Sequence, residues 1–204
     1  MSEDHIKELR DIAFRKIGRN LVNFQQLERM LKFILVRSDV RGYASELAKI
    51  LQEKDKDIDR KPLGWLVQDL FKTVYSNRPP HESPANERDD VWMSISLRIE
   101  SSKDSIRERK RQLREIVKER NVLVHRLLAT FDPDSVESCE KLVRLLDEQA
   151  DRVEHHYESL RGIFEHMQAV QQEVMRRLEA ELGESVRKEG DGLAQHVNET
   201  NKSP

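Results

Sequence analysis

Apolar side chains recur every three or four positions along most of the chain, which is the period of helices that each bury one face. Over residues 4–38 they fall at Ile6, Leu9, Ala13 and Ile17 and then at Leu21, Phe24, Leu27, Leu31, Ile34 and Leu35, predicting one helix or two abutting ones. Gly18 weakens that helix by about 1 kcal/mol relative to Ala without ending it. A second helix is predicted over 43–54, presenting Leu47, Ile50 and Leu51. A third is predicted over 62–75, with Pro62 suited to its first turn. Pro, Ser and Asn crowd residues 76–86, so a flexible exposed loop over about 76–88 follows. The helical pattern resumes over 89–131, first with Trp92, Ile95, Leu97 and Ile99 and later with Leu113, Ile116, Val117, Val124, Leu127 and Leu128. Asp132 and Pro133 break it, and with Asp134 and Ser135 they supply the cap and first turn of another helix.

In that last helix Leu146, Ala150, Val153, Tyr157, Leu160, Phe164, Met167, Val174 and Leu178 follow alternating steps of three and four, with polar Gln171 in the series. This is a heptad seam. Such a seam packs along its own bundle or pairs with a second copy; periodicity does not choose, and pairing between copies is the expectation here. From 184 to 204 the composition turns to Gly, Asp, Asn, Lys and Ser, which predicts a disordered tail. The predicted organisation is therefore an all-α bundle over 1–132, a long helix over 133–183 for packing or dimerisation, and the tail.

Composition agrees: 37% hydrophobic and 36% charged residues, with only 5% aromatics, 7 Gly and 6 Pro, predict long charged helices and little or no sheet. The single cysteine, Cys139, has no intrachain partner and reads as a small buried residue in a reduced, cytoplasmic protein. No apolar run approaches the ~18 residues of a membrane span, and the longest, Phe33 to Val36, is hemmed in by Lys32 and Arg37, so no membrane contact is expected. The opening MSEDHIKELR is acidic where a signal peptide is basic and then apolar.

A net charge of −2 gives no global attraction to nucleic acid, but the charge is unevenly spread. Between Lys103 and Arg126 lie nine basic side chains, among them Arg114, Lys118, Arg120 and Arg126, against four acidic ones. Inside this stretch stands Arg120-Asn121-Val122-Leu123-Val124-His125. His takes and gives a proton near neutral pH, and Arg is a permanent forked cation that holds phosphate oxygens. Asn121 and His125 sit one turn apart on the same helix face, whereas Arg120 is about 140° round from His125 and ~7.5 Å away along the axis, so its side chain must reach round to join them.

This block resembles the active motif of HEPN-family ribonucleases, helical bundles that carry Arg, then four to six residues of which the first is commonly polar, then His. The resemblance covers residues 113–131 most clearly and the helical layout of the first 131 more loosely; the C-terminal helix lies outside it. It implies a HEPN-like bundle cutting RNA without metal or cofactor. Arg120, Asn121 and His125 would be catalytic, and Arg114, Lys118 and Arg126 would hold RNA phosphates. It further implies a homodimer in which two motifs face one cleft, a setting in toxin–antitoxin or antiviral defence, and an antitoxin or regulatory protein as partner. Family toxins silenced by nucleotidylation carry Tyr two residues after the His; Leu127 stands there, which puts that control in doubt.

The Arg-x4-His spacing alone arises by chance about once in such a composition. Arg161 and His166 repeat it, but Gly162 follows the Arg and Phe164 belongs to the seam, so that copy is read as structural. His155 and His156 are adjacent rather than a turn apart and imply no zinc site. Trp65 and Trp92 are read as core, and phosphate loops and nucleophile elbows are missing. The competing reading from another class is a non-catalytic HEPN-like helical adaptor that binds RNA or holds a partner through its C-terminal helix.

Overall fold

The computed structural model describes residues 3–75 and 90–200, apart from the side chains of Leu128, Met175 and residues 178–200. The loop expected over 76–88 lies outside the described residues. In chain order the elements are α1 (Glu3–Ser38), β1 (Asp39–Tyr43), a 3-10 turn (Ala44–Glu46), α2 (Leu47–Asp59) and α3 (Leu63–Thr73). After these come β2 (Trp92–Ser96), α4 (Lys103–His125), α5 (Leu127–Thr130) and α6 (Val136–Thr200). The chain divides into two units, Met1–Gly162 and Ile163–Pro204.

In the first unit α1 is the central element, packing against α2, α3 and α4. It is one uninterrupted helix through Gly18. Its buried stripe is Ala13, Asn20, Phe24, Leu27, Leu31 and Ile34, spaced by three, four and seven as one helix face demands. From α3 come Leu63, Leu66, Val67 and Leu70, and from α4 Leu113, Ile116 and Leu123. Each such aliphatic side chain contributes about 1.5–3 kcal/mol by leaving water.

The first part of α6 docks on α1 through a polar key. Asn20, 0% exposed, donates from Nδ2 to the Leu146 carbonyl at 2.8 Å and to Gln149 Oε1 at 2.9 Å. Arg19 donates to the same carbonyl at 3.0 Å and to Asp147 at 3.1 Å, and Lys16 also pairs with Asp147. Leu146, Ala150, Val153 and Leu160 are buried within the single chain. The first half of the heptad seam thus needs no second copy to leave water. At the start of α6, Asp132 Oδ1 accepts from Asp134 N and Ser135 Oγ accepts from Ser138 N, the capping chemistry expected of that cluster. Buried Cys139 follows, its thiol pKa pushed up by desolvation. In the second unit α6 continues through Thr200, past the point where composition suggests a tail; Ile163 and Met167 are buried there and Val170 and Val174 exposed.

The strand at residues 92–96 and the two tryptophans depart from expectation. Residues 92–96 form a strand, not the start of a helix, pairing antiparallel with β1 in a register that sets Val40 opposite Ile95 and Tyr43 opposite Trp92. The reason is legible: Met93, Ile95, Leu97 and Ile99 alternate with Ser94, Ser96 and Arg98, a period of two. Beyond the strand, Leu97 N donates to the Ser38 carbonyl at 2.6 Å and Ile99 N to the Val74 carbonyl at 2.8 Å, tying this segment to the ends of α1 and α3. Gly42 is obligatory in β1: its φ is +156°, and a Cβ there would sit 2.3 Å from Ile50 Cδ1. Trp92 is half-buried in an edge-on contact with Tyr43, and Trp65 is 36% exposed beneath Lys61, so neither tryptophan is core as expected.

Candidate active site

The helix that carries the motif starts at Lys103, where Ser102 Oγ accepts from Ser105 N in an N-cap, and ends at His125, where Arg126 N donates to the Val122 carbonyl. Leu113, Ile116 and Leu123 fix its inner face. The opposite face presents Arg114, Lys118, Asn121 and His125, all exposed, in steps of four, three and four that form one stripe. Arg120 is half-buried toward the inner side, yet its Nη1 donates to Asn121 Oδ1 at 3.2 Å. The guanidinium therefore meets the residue that shares a face with His125. Arg126 caps the helix about 100° round from His125 and does not belong to the stripe.

Several of the basic side chains are already paired. Arg107 bonds Asp104 at 3.1 Å, Arg111 bonds Glu108 at 2.6 Å, and Lys118 bonds Glu115 at 2.9 Å, each three residues apart and exposed. Such exposed pairs each contribute only tenths of a kcal/mol. Arg109 is held inside, donating to the Tyr75 hydroxyl at 2.6 Å. The second Arg-x4-His copy lies on α6, where Arg161 pairs with Glu158 at 2.8 Å and His166 is exposed.

Two features of the neighbourhood carry no sequence signal. Arg152 of α6 donates from Nε to Glu119 Oε1 at 3.0 Å across thirty-three residues, and Glu119 Oε2 is buried with no hydrogen-bond partner among the described residues. Beside this bridge His155 and His156 line a cleft of about 550 Å³ together with Arg111, Glu115 and Asp151. Among the described residues no three of His, Cys, Asp or Glu converge as metal ligands.

His156 titrates abnormally. Desolvation, then His155 and Arg109, depress its pKa below the ordinary 6.5, against a smaller opposing pull from Glu119. In the window below 6.5 the unfolded chain binds the proton more readily than the fold does, so stability is full above that pH and falls as pH drops toward the lower folded value. We expect thermal unfolding compared at pH 7.5 and 5.5 to show a loss of stability that His156→Gln reduces; an unchanged difference would remove His156 from the account.

No family model, curated protein or solved structure matches the chain. Among the described residues no helix is long and apolar enough to cross a membrane.

Proposed function

We propose that the chain is a metal-independent endoribonuclease of HEPN type, acting as a homodimer in which two Arg120-Asn121-His125 sets face one RNA strand. The observation that supports this best is the Arg120 Nη1 to Asn121 Oδ1 hydrogen bond at 3.2 Å, which draws the guanidinium round toward the exposed His125 face. In this reading the ribose 2′-oxygen attacks the adjacent phosphorus as His125 of one copy takes its proton. The bond from phosphorus to the 5′-oxygen breaks as His125 of the other copy protonates that oxygen. Arg120 neutralises charge growing on the phosphate, and Asn121 holds Arg120 and orients the phosphate or the imidazole. The products are a 2′,3′-cyclic phosphate and a 5′-hydroxyl. A setting in toxin–antitoxin or antiviral defence, with an antitoxin or regulatory protein as partner, belongs to the same proposal.

Incubating the purified protein with total RNA in EDTA, beside His125→Ala, tests the reading: cutting by the first alone supports it, and equal cutting by both contradicts it. The stripe also makes a binding prediction. Because Arg114 and Lys118 are exposed cations on the same face as His125, RNA affinity should fall steeply with salt. Arg114→Ala or Lys118→Ala should each flatten the salt slope by about one unit for all sequences alike. Titrations of labelled RNA at several salt concentrations read this directly, and an unchanged slope would return these side chains to a solvated face.

A further inference from the structure

The cleft of about 550 Å³ lies between α4, from Arg111 to Glu119, and the turn of α6 from Asp151 to His156. Across it Arg152 Nε donates to Glu119 Oε1 at 3.0 Å, while Glu119 Oε2 is buried and accepts from no described residue. His156 stands one turn beyond Arg152 on the same side of α6. Its ring is half-buried, with its centroid 5.6 Å from that of exposed His155. From α4 it is faced by Glu119 and by Arg109, which is held by the Tyr75 hydroxyl at 2.6 Å. Arg111 and Glu115 line the same cleft but are engaged by Glu108 and Lys118. An imidazolium in this place meets the guanidiniums of Arg109 and Arg152 and a neighbouring imidazole. Against these stand only Glu119, already shared with Arg152, and Asp151 at the exposed rim. A charged ring also gives up more hydration here than a neutral one. The depressed titration of His156 runs the same way.

We propose that His156 is an acid-sensitive latch: neutral, it packs its turn of α6 against α4, and protonated, it swings into the water of the cleft while the Arg152–Glu119 bridge opens. Glu119 directly precedes Arg120, so opening removes a tie from the last turns of α4, which carry Arg120, Asn121 and His125. The fold holds the end of the motif helix at neutral pH and loosens it in acid. That this regulates cutting rests on the nuclease reading; the latch itself does not. At pH 5.5 a ring released to water, with its ordinary value of 6.5, is about ten parts protonated to one neutral, which favours the open state by up to ~10-fold relative to pH 7.5.

Amide hydrogen exchange of the full chain at pH 7.5 and 5.5, corrected for the pH dependence of exchange in an unstructured peptide, tests the latch. Amides of residues 119–125 are expected to exchange faster than those of the buried α1 face from Phe24 to Ile34, and to speed up by ~3–10-fold at the lower pH. His156→Gln, neutral at both pH values, should cut that rise to less than ~2-fold. His155→Gln, at an exposed position, should keep most of it. Circular dichroism at pH 7.5 checks that the variants fold, and the wild-type comparison of α4 with α1 stands without them. Exchange of 119–125 in step with the α1 face at both pH values, no rise in acid, or an equal rise in His156→Gln would overturn the latch. An acid-dependent rise in a protein that cuts no RNA would sink the nuclease reading and leave the latch standing.

Discussion

His125→Ala is expected to reduce RNA cleavage by roughly 10²–10⁴-fold, the usual contribution of a positioned general acid or base. The side chain ends α4 on the outer face, away from the buried Leu113, Ile116 and Leu123, so its loss should cost the fold little. Arg120→Ala should cost ~10²–10³-fold by removing the cation nearest the developing charge, and Asn121→Ala should act in the same direction because Asn121 Oδ1 accepts from that guanidinium. RNA binding should survive His125→Ala, since the exposed cations Arg114 and Lys118 on the same face remain. The control is His166→Ala, on α6 and within the second Arg-x4-His spacing; it should leave cutting unchanged. Initial rates on a labelled RNA, read beside circular dichroism of each variant, check the series. Loss of activity in His166→Ala, or none in His125→Ala, would show that the spacing at Arg120 is coincidental.

Asn20→Ala is expected to lower the stability of the first unit by about 2–4 kcal/mol, or roughly 5–15 °C in melting temperature. Asn20 is fully buried and donates two of the hydrogen bonds that join α1 to α6. Without it Gln149 Oε1 is left in the interface with no donor, while the Leu146 carbonyl keeps Arg19 at 3.0 Å. Leaving one buried acceptor unmade costs about 1–3 kcal/mol, and the cavity adds to it. Replacing both partners by aliphatics, Asn20→Leu with Gln149→Leu, should recover most of the loss, because no polar atom of the pair then stays buried. Denaturant melts of the singles and the double give the coupling; additive losses would mean that the two residues do not act as one key.

The same pair shows where the sequence was legible and where it was not. The helices α1, α3 and α4 followed from apolar spacing, although in α4 Leu123 is buried and Val124 is 43% exposed, and the Asp132 to Ser135 cap followed from turn chemistry. The core stripe of α1, however, passes through Asn20 rather than Leu21, which is half-buried. Hydropathy prefers the Leu, whereas the continuous three-and-four spacing from Ala13 to Ile34 selects the Asn, whose partners lie on a helix more than a hundred residues away. The strand over Trp92–Ser96 was misread because Trp92, Ile95 and Ile99 also satisfy helical spacing, and the alternation with Ser94, Ser96 and Arg98 was outweighed by the surrounding helices. The heptad seam declared a helix but not its neighbour, since packing on one's own chain and pairing between chains want the same a and d positions. Around the motif, periodicity set Asn121 and His125 on one face. It also required Arg120 to reach round, and the 3.2 Å hydrogen bond reaches as far as Asn121. The Arg152 to Glu119 bridge and the cleft beside it arise from the turn between α4 and α6 and left no local trace.

His125 and Arg120 are proposed to cut RNA by using its own 2′-hydroxyl. Analysis of the fragment ends produced in EDTA from a labelled single-stranded RNA tests it most directly, beside the same strand carrying 2′-deoxy sugars throughout. Fragments ending in 2′,3′-cyclic phosphate and 5′-hydroxyl groups are expected from the RNA and none from the deoxy strand. Fragments bearing 5′-phosphates, cutting of the deoxy strand, or an intact RNA would contradict it.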